Sequence, residues 1–164
     1  MPRRTLRARH PTHEGLSTPP KTGRSEKPRS MSERRQARRG DELILAEKAL
    51  RKCALGYPEA YEEFPWGERV AKVNKKVFVF LGLGEDPANL AMTVKLRNES
   101  HHHALSVPGA EPTGYGLGRS GWVTVPFRET TPPLDVLREW VEESYRLVAP
   151  KPLIAQLDER PRRR

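Results

Sequence analysis

The stretch EEFPWGERVAKVNKKVFVFLGL, residues 62–83, decides the fold class of this chain. It holds two short runs of β-branched and aromatic residues, separated by Asn74-Lys75-Lys76. Such residues favour strands, and a polar break between two such runs predicts a β-hairpin. Asn74 tolerates a positive φ angle and therefore suits the turn. Just before the hairpin, Phe64-Pro65-Trp66-Gly67 places two large aromatic rings in a turn.

The segments on both sides of this hairpin show alternating helix and strand patterns. Residues 41–56 carry apolar side chains at helical spacing, and Asp41 suits the N-cap. Toward the C-terminus, the patterns predict a third strand over 90–96, a short helix over 98–106, a strand over 122–127 and a last helix over 131–148. Strands clustered between two long helices predict an α+β fold, in which an antiparallel sheet packs against two flanking helices.

The formal net charge of +9 is unevenly distributed along the 164 residues. Residues 1–40 hold 12 Lys/Arg and 3 Asp/Glu, and residues 158–164 hold 4 Arg and 2 acidic residues. Residues 41–157 hold 14 Lys/Arg and 16 Asp/Glu, a net charge of −2. Because residues 1–40 are rich in proline and lack apolar periodicity, we predict a disordered basic N-terminal extension there. Residues 41–157 then form the domain, and residues 158–164 form a basic C-terminal tail.

Apolar content and cysteine use predict a soluble, cytoplasmic protein without a membrane partner. The chain has no long apolar run, and its first residues lack the apolar region of a secretory signal. The single Cys53 excludes an intramolecular disulfide and suits a reducing compartment.

Three patterns suggest an enzyme or a cofactor site, and we interpret each as structural. His101-His102-His103 point about 100° apart on a helix, so they cannot all face one metal ion. Residues 116–121 match G-x-G-x-x-G but precede a strand, whereas a dinucleotide site opens a helix, so the glycines more simply form a flexible connection. Cys53 lies on an apolar stripe with no evident activating partner. We therefore predict a non-enzymatic protein with no metal, no cofactor and no catalytic residue.

A set of features in a characteristic order resembles the MmcQ/YjbR-like family. They are the helix 41–56, Tyr57-Pro58, Glu63 through Gly67, Val77-Phe78, Lys95, Pro108-Gly109, Tyr115, Arg119, Trp122 through Val125, and Ser144-Tyr145. The resemblance covers residues 42–152. It implies a CyaY-like (frataxin-like) sandwich of an antiparallel sheet on two helices, and it implies DNA binding. Frataxins handle iron with an acidic ridge, but the first helix here offers only Asp41, Glu42 and Glu47, interrupted by basic residues, so we do not expect iron handling.

Our leading functional prediction is a small DNA-binding protein of low sequence specificity that contacts phosphates. The predicted contacts are Lys75, Lys76 and Arg119 within the domain, with Arg34, Arg35, Arg38 and Arg39 before it. Since the positive charge lies in the tails, we expect most of the affinity there. The alternative is a ligand- or protein-interaction module with an aromatic surface of Phe64, Trp66, Tyr115 and Trp122. The sequence makes no prediction of oligomeric state.

Overall fold

A computed structural model describes residues 29–82 and 86–161 of the chain. The helices are α1 (Met31–Leu55), α2 (Asn98–Ser106), α3 (Leu134–Val148) and α4 (Lys151–Asp158). The strands are β1 (Tyr61–Glu63), β2 (Arg69–Val73), β3 (Lys76–Leu81), β4 (Ala91–Lys95), β5 (Glu111–Pro112) and β6 (Trp122–Pro126). None of these helices is both long enough and apolar enough to cross a membrane.

The six strands form one antiparallel sheet in the order β1-β2-β3-β4-β6-β5. The predicted α+β class and the predicted hairpin are confirmed. Asn74 and Lys75 have φ angles of 48° and 64°, the signature of the type I′ turn that matches the twist of a hairpin. The edge strands β1 and β5 have only three and two residues, so little unpaired edge is offered to another chain.

One face of the sheet is covered by α1 and α3, and the core lies between these layers. In β4, buried Met92 and Val94 alternate with half-buried neighbours, as expected for a strand with one buried face. In β3, by contrast, the successive residues Phe78 and Val79 are both fully buried. The register of β2 against β3 shifts at this point, and the resulting β-bulge allows both side chains to be buried. The Phe78 ring meets the Tyr145 ring edge-on at 5.3 Å.

A buried serine of α3 connects the two central strands where their pairing stops. The β3–β4 ladder runs from Leu81–Met92 to Val79–Val94 and does not include Phe78 and Lys95. The Ser144 hydroxyl occupies that position, where it accepts from the Lys95 N–H at 2.8 Å and donates to the Phe78 carbonyl. A side chain thus replaces a missing strand-to-strand hydrogen bond, because buried backbone groups need a partner.

The first helix begins earlier than predicted. It starts at Met31, ten residues before Asp41, so the predicted boundary at residue 40 falls inside a helix and residues 31–40 are helical. Ser30 is the N-cap, and Glu33 completes a capping box with it. Gly40 is buried against Pro87, where an added Cβ would lie 2.9 Å from the proline ring. Residues 1–28 and 162–164, which hold most of the two predicted tails, lie outside the described residues.

The helix α4 was not predicted. The sequence predicted no helix after residue 148, but α4 begins directly after Pro150, with Pro152 in its first turn. Proline is well tolerated there because the first N–H groups of a helix have no intrahelical partner. The helix therefore extends over the predicted domain boundary at residue 157, and Arg146 of α3 binds its Asp158 at 2.7 Å.

We predict that Ser144→Ala lowers the free energy of unfolding by about 1–3 kcal/mol, since it leaves the Lys95 N–H and the Phe78 carbonyl buried without a partner. Urea denaturation measures the change. Ser106→Ala is the control, because Ser106 is an exposed serine in α2 whose hydroxyl contacts only a local carbonyl. Equal stability of the two variants would show that the hydroxyl bridge contributes nothing.

Candidate nucleic-acid interface

The strand order brings three of the predicted phosphate-binding residues to one end of the sheet. This hairpin end is where the β2–β3 turn lies, where β4 ends at Lys95 and where β6 begins at Trp122. Lys95 and Trp122 are direct partners in the β4–β6 ladder. Lys75 and Lys76 lie in and beside the turn, and Arg119 lies in the loop just before β6. The three residues therefore share the hairpin end, although Arg119 lies 44 positions after Lys75 in sequence.

The cations at this end are exposed and unpaired within the described part of the chain. Lys75, Lys76, Arg97 and Arg119 are all exposed, and none forms an ion pair with a residue that the structure describes. Lys72 differs, because its ammonium binds the Glu63 carboxylate at 2.7 Å and this hydrogen bond raises its pKa. Only β4 lies between β3 and β6 in the sheet, so the turn and the loop lie at the same end with one strand between them.

The loop that carries Arg119 has a defined, hydrogen-bonded backbone and is not the flexible connection that its glycines predicted. Backbone hydrogen bonds join the Thr113 N–H to the Trp122 carbonyl at 3.0 Å and the Gly118 N–H to the Thr113 carbonyl at 2.9 Å. Leu117–Ser120 form a 3₁₀ turn. Gly121 has a φ angle of 90°, and a Cβ there would lie 2.5 Å from the Leu96 carbonyl oxygen, so the chain requires glycine at this position.

Lys75 holds a backbone conformation that a lysine disfavours. The second central position of a type I′ turn strongly prefers glycine, because a Cβ is strained at positive φ. The turn here is Asn-Lys, with Lys75 at a φ angle of 64°. Strain of this kind at an exposed charged residue favours a functional role for the side chain.

The four arginines of α1 lie at the opposite, remote end of the sheet, where β3 ends and β4 begins. The Gly40–Pro87 contact fixes the first half of α1 there. Arg38 pairs with Glu42 at 3.5 Å, and Arg39 pairs with Glu129. The remaining two, Arg34 and Arg35, are exposed. The seven predicted phosphate-binding residues therefore form two separate groups.

A network of buried and half-buried charges fixes the turn that follows β1. Glu47 of α1 is only 1% exposed and accepts from Arg69 at 3.1 Å. Glu62 of β1 lies 3.0 Å from Arg69 and binds Arg51 through two hydrogen bonds of 2.6 and 2.7 Å. Each carboxylate therefore has a cation beside it, so these buried charges are balanced. The network ties β1 and β2 to α1, and the Arg69 guanidinium lies 5.6 Å from the centre of the Phe64 ring.

The four aromatic residues predicted to form one surface are dispersed. Phe64 and Trp66 precede Arg69, which pairs with Leu81, so they lie at the remote end. Trp66 is 95% exposed at a φ angle of 53°. Tyr115 lies at the hairpin end and is fully exposed. Trp122 is buried, because it packs edge-on against Phe80 with ring centres 5.7 Å apart. No common aromatic surface exists among these residues.

Sequence reasoning did not single out Arg97, which lies two residues after β4 at the hairpin end. Its backbone N–H donates to the Glu143 carboxylate at 2.8 Å, while its side chain is exposed. The sequence places Arg97 directly after the predicted third strand, which was the one indication of its position. Only the strand order shows that this end of the strand adjoins the hairpin turn.

The histidines serve packing where the structure shows a contact. The His103 ring meets the buried Trp140 ring at 5.3 Å in an edge-to-face arrangement. Among residues 29–82 and 86–161, no three His, Cys, Asp or Glu side chains lie close enough together to hold a metal ion.

Comparison with known proteins decides the family. The YjbR family model matches residues 55–147, more than half of the chain. The chain belongs to the YjbR family. A solved structure, the Deinococcus radiodurans protein DR2400 with domain DUF419, is 27% identical with a TM-score of 0.54, and the match covers 68% of this chain and 86% of that one. Curated proteins give no match. The frataxin-like relationship remains a prediction.

The YjbR match separates the two groups of cations. Lys75, Lys76 and Arg119 lie inside the matched span, as does Tyr115, whereas Arg34 to Arg39 lie before it. The hairpin end is therefore a part of the YjbR domain itself, and the basic half of α1 is outside the matched region.

We predict that Lys75→Gly raises the free energy of unfolding by about 1 kcal/mol, because glycine removes the strain at positive φ. Thermal or urea denaturation tests this. Lys76→Gly is the matched control, since it removes the same charge but places glycine within β3, where we expect a loss of about 0.5–1 kcal/mol. A Lys75→Gly protein less stable than the native one would show that the turn is unstrained.

Proposed function

We propose that this YjbR protein binds DNA through phosphate contacts at the hairpin end and has no enzymatic activity. The observation that carries the proposal is the convergence of Lys75, Lys76, Arg97 and Arg119. They come from a turn, the end of a strand and a loop, and no described carboxylate pairs with them. Unpaired cations on a protruding surface are the groups that phosphates attract most strongly.

The placement of these cations suits a nucleic-acid backbone. The turn and the loop lie at the same end of the sheet with only β4 between their strands, so successive phosphates of one nucleic-acid strand can contact both. Lysine and arginine side chains that contact phosphates bind the negative charge and do not distinguish one base from another. We therefore expect the protein to show little sequence preference.

The segments outside the hairpin end add affinity without forming the site. Residues 1–28 hold seven Lys/Arg and two Asp/Glu, and residues 162–164 are three arginines. Together with the exposed Arg34 and Arg35, they attract a polyanion over a longer range. Deleting residues 1–28 and 162–164 should therefore weaken binding, while the contribution of the hairpin end remains.

A non-enzymatic role is supported by the buried hydroxyl groups, which have structural partners. Ser144 bridges β3 and β4, and Tyr145 donates to the Pro58 carbonyl at 2.8 Å. The half-buried Cys53 thiol lies 3.4 Å from the Tyr57 hydroxyl, a group whose pKa burial raises, so it gives no basic partner to the thiol. One such cysteine also supports a location in the reducing cytoplasm.

We predict that the combined variant Lys75→Glu, Lys76→Glu, Arg119→Glu binds DNA at least about tenfold more weakly at low salt. The slope of the logarithm of the binding constant against the logarithm of the salt concentration should become less steep by about 2–3, because each phosphate contact contributes about 0.9 to that slope. Fluorescence anisotropy with a labelled duplex at several salt concentrations measures both quantities.

The matched control for this experiment is Lys48→Glu, Arg138→Glu, Lys151→Glu, which makes the same charge change at exposed positions on the helices α1, α3 and α4. Equal losses in both variants would assign the affinity to net charge and remove the hairpin-end site. Absence of binding by the native chain would remove the DNA proposal altogether.

A second candidate function, protein interaction, is favoured by Trp66. A tryptophan that is 95% exposed and held at positive φ buries almost nothing, and Phe64 beside it is 54% exposed. A photo-crosslinking amino acid at position 66 tests this in cells. Specific adducts at position 66 but not at the exposed Glu68 would support a docking role, and adducts at neither position would contradict it.

A further inference from the structure

Tyr115 is a feature of the hairpin end that phosphate binding does not use. Its side chain is fully exposed, and its backbone has a φ angle of 56°. A tyrosine that buries no ring surface and holds a disfavoured backbone conformation contributes little to stability. Its ring contacts no other aromatic ring in the described part of the chain.

The turn that presents this ring is fixed. The Leu117 N–H donates to the Gly114 carbonyl at 3.2 Å across Tyr115, and the Thr113 N–H donates to the Trp122 carbonyl of β6 at 3.0 Å. Because the turn is attached to the sheet, the backbone at Tyr115 is held in the same loop as Arg119, four residues farther along.

We propose that Tyr115 stacks on an unpaired base, so that the hairpin end binds single-stranded nucleic acid more tightly than a duplex. The inference rests on the proposed function and specifies its ligand. In a duplex, the faces of the bases are covered by their neighbours, and an exposed ring has nothing to stack on. In a single strand, every base offers a face, and an aromatic side chain next to cations is the arrangement that proteins use to bind single strands.

The local charge distinguishes Tyr115 from the other exposed ring. Trp66 lies two residues before Glu68, an exposed carboxylate that repels phosphates. Tyr115 has Arg119 in its own loop, and Lys75 and Lys76 lie in and beside the β2–β3 turn at the same end of the sheet. Of these two strained and exposed aromatic residues, only Tyr115 therefore combines a stacking surface with phosphate-binding groups.

The test compares a labelled single-stranded oligothymidine with a duplex of equal length, using the full chain. Tyr115→Asn removes the ring and retains a residue that tolerates positive φ, so the turn is preserved. We expect it to weaken binding of the single strand at least about fivefold and to leave duplex binding unchanged. Tyr115→Phe should retain native affinity, because stacking needs the ring and not the hydroxyl. Trp66→Asn, the same change at the remote end, should also retain it.

The outcomes separate this inference from the function on which it rests. If the native chain binds nucleic acid but Tyr115→Asn binds the single strand as well as the native protein does, the stacking role is overturned and phosphate binding stands. If Tyr115→Asn loses single strand and duplex to the same extent, stacking on an unpaired base is also overturned. If the native chain binds neither ligand, the proposed function fails and the inference fails with it.

Discussion

The hydroxyl bridge of Ser144 is the interaction on which the hairpin end depends. Where the β3–β4 ladder stops, this side chain joins Phe78 to Lys95 and fixes the separation of the two strands. Its neighbours in α3 act on the same region, since Glu143 accepts from the Arg97 N–H and Tyr145 donates to the Pro58 carbonyl. Three successive residues of one helix thus hold the end of β4, the start of β3 and the segment after α1.

The distribution of carboxylates explains how a nearly neutral domain can carry a basic site. Glu47 and Glu62 accept from arginines, Glu63 accepts from Lys72, and Glu143 accepts from a backbone N–H. These acids are used to connect elements, and they lie on β1, α1 and α3. The cations of the turn and the loop have no such partner within the described residues, so the local field at the hairpin end is positive although residues 41–157 carry a net charge of −2.

Much of the fold could be predicted because its elements follow a strong local period. The hairpin, β4, α2 and α3 each show such a pattern, and Asn74 marks the turn. The early start of α1 was readable from the capping box of Ser30 and Glu33, but the basic, proline-rich composition before it favoured disorder. Strands β1 and β5 could not be read from the sequence, since three and two residues have no measurable period and exist as strands only through pairing.

The residues of the candidate site could be predicted from the sequence, but their common location in the fold could not. Lys75, Lys76 and Arg119 are identifiable from the sequence, yet their proximity depends on β6 pairing with β4, a contact between distant segments. The aromatic residues show the same limit. Tyr115 and Trp122 both follow a glycine, but Trp122 begins a strand and packs against Phe80, whereas Tyr115 stands in a turn and is fully exposed.

The backbone of the proposed site at the hairpin end is held in place by hydrogen bonds within the protein itself. The β2–β3 turn is a two-residue connection between paired strands, and the Tyr115 loop is closed by hydrogen bonds to its own backbone and to β6. Backbone order that already exists in the free protein does not have to be created on binding, so less of the interaction free energy is lost. The strain at Lys75 and Tyr115 acts in the same direction, because the sheet holds both residues in conformations that they would leave in a free loop. In the proposed function, the sheet therefore determines where a charged partner would be held.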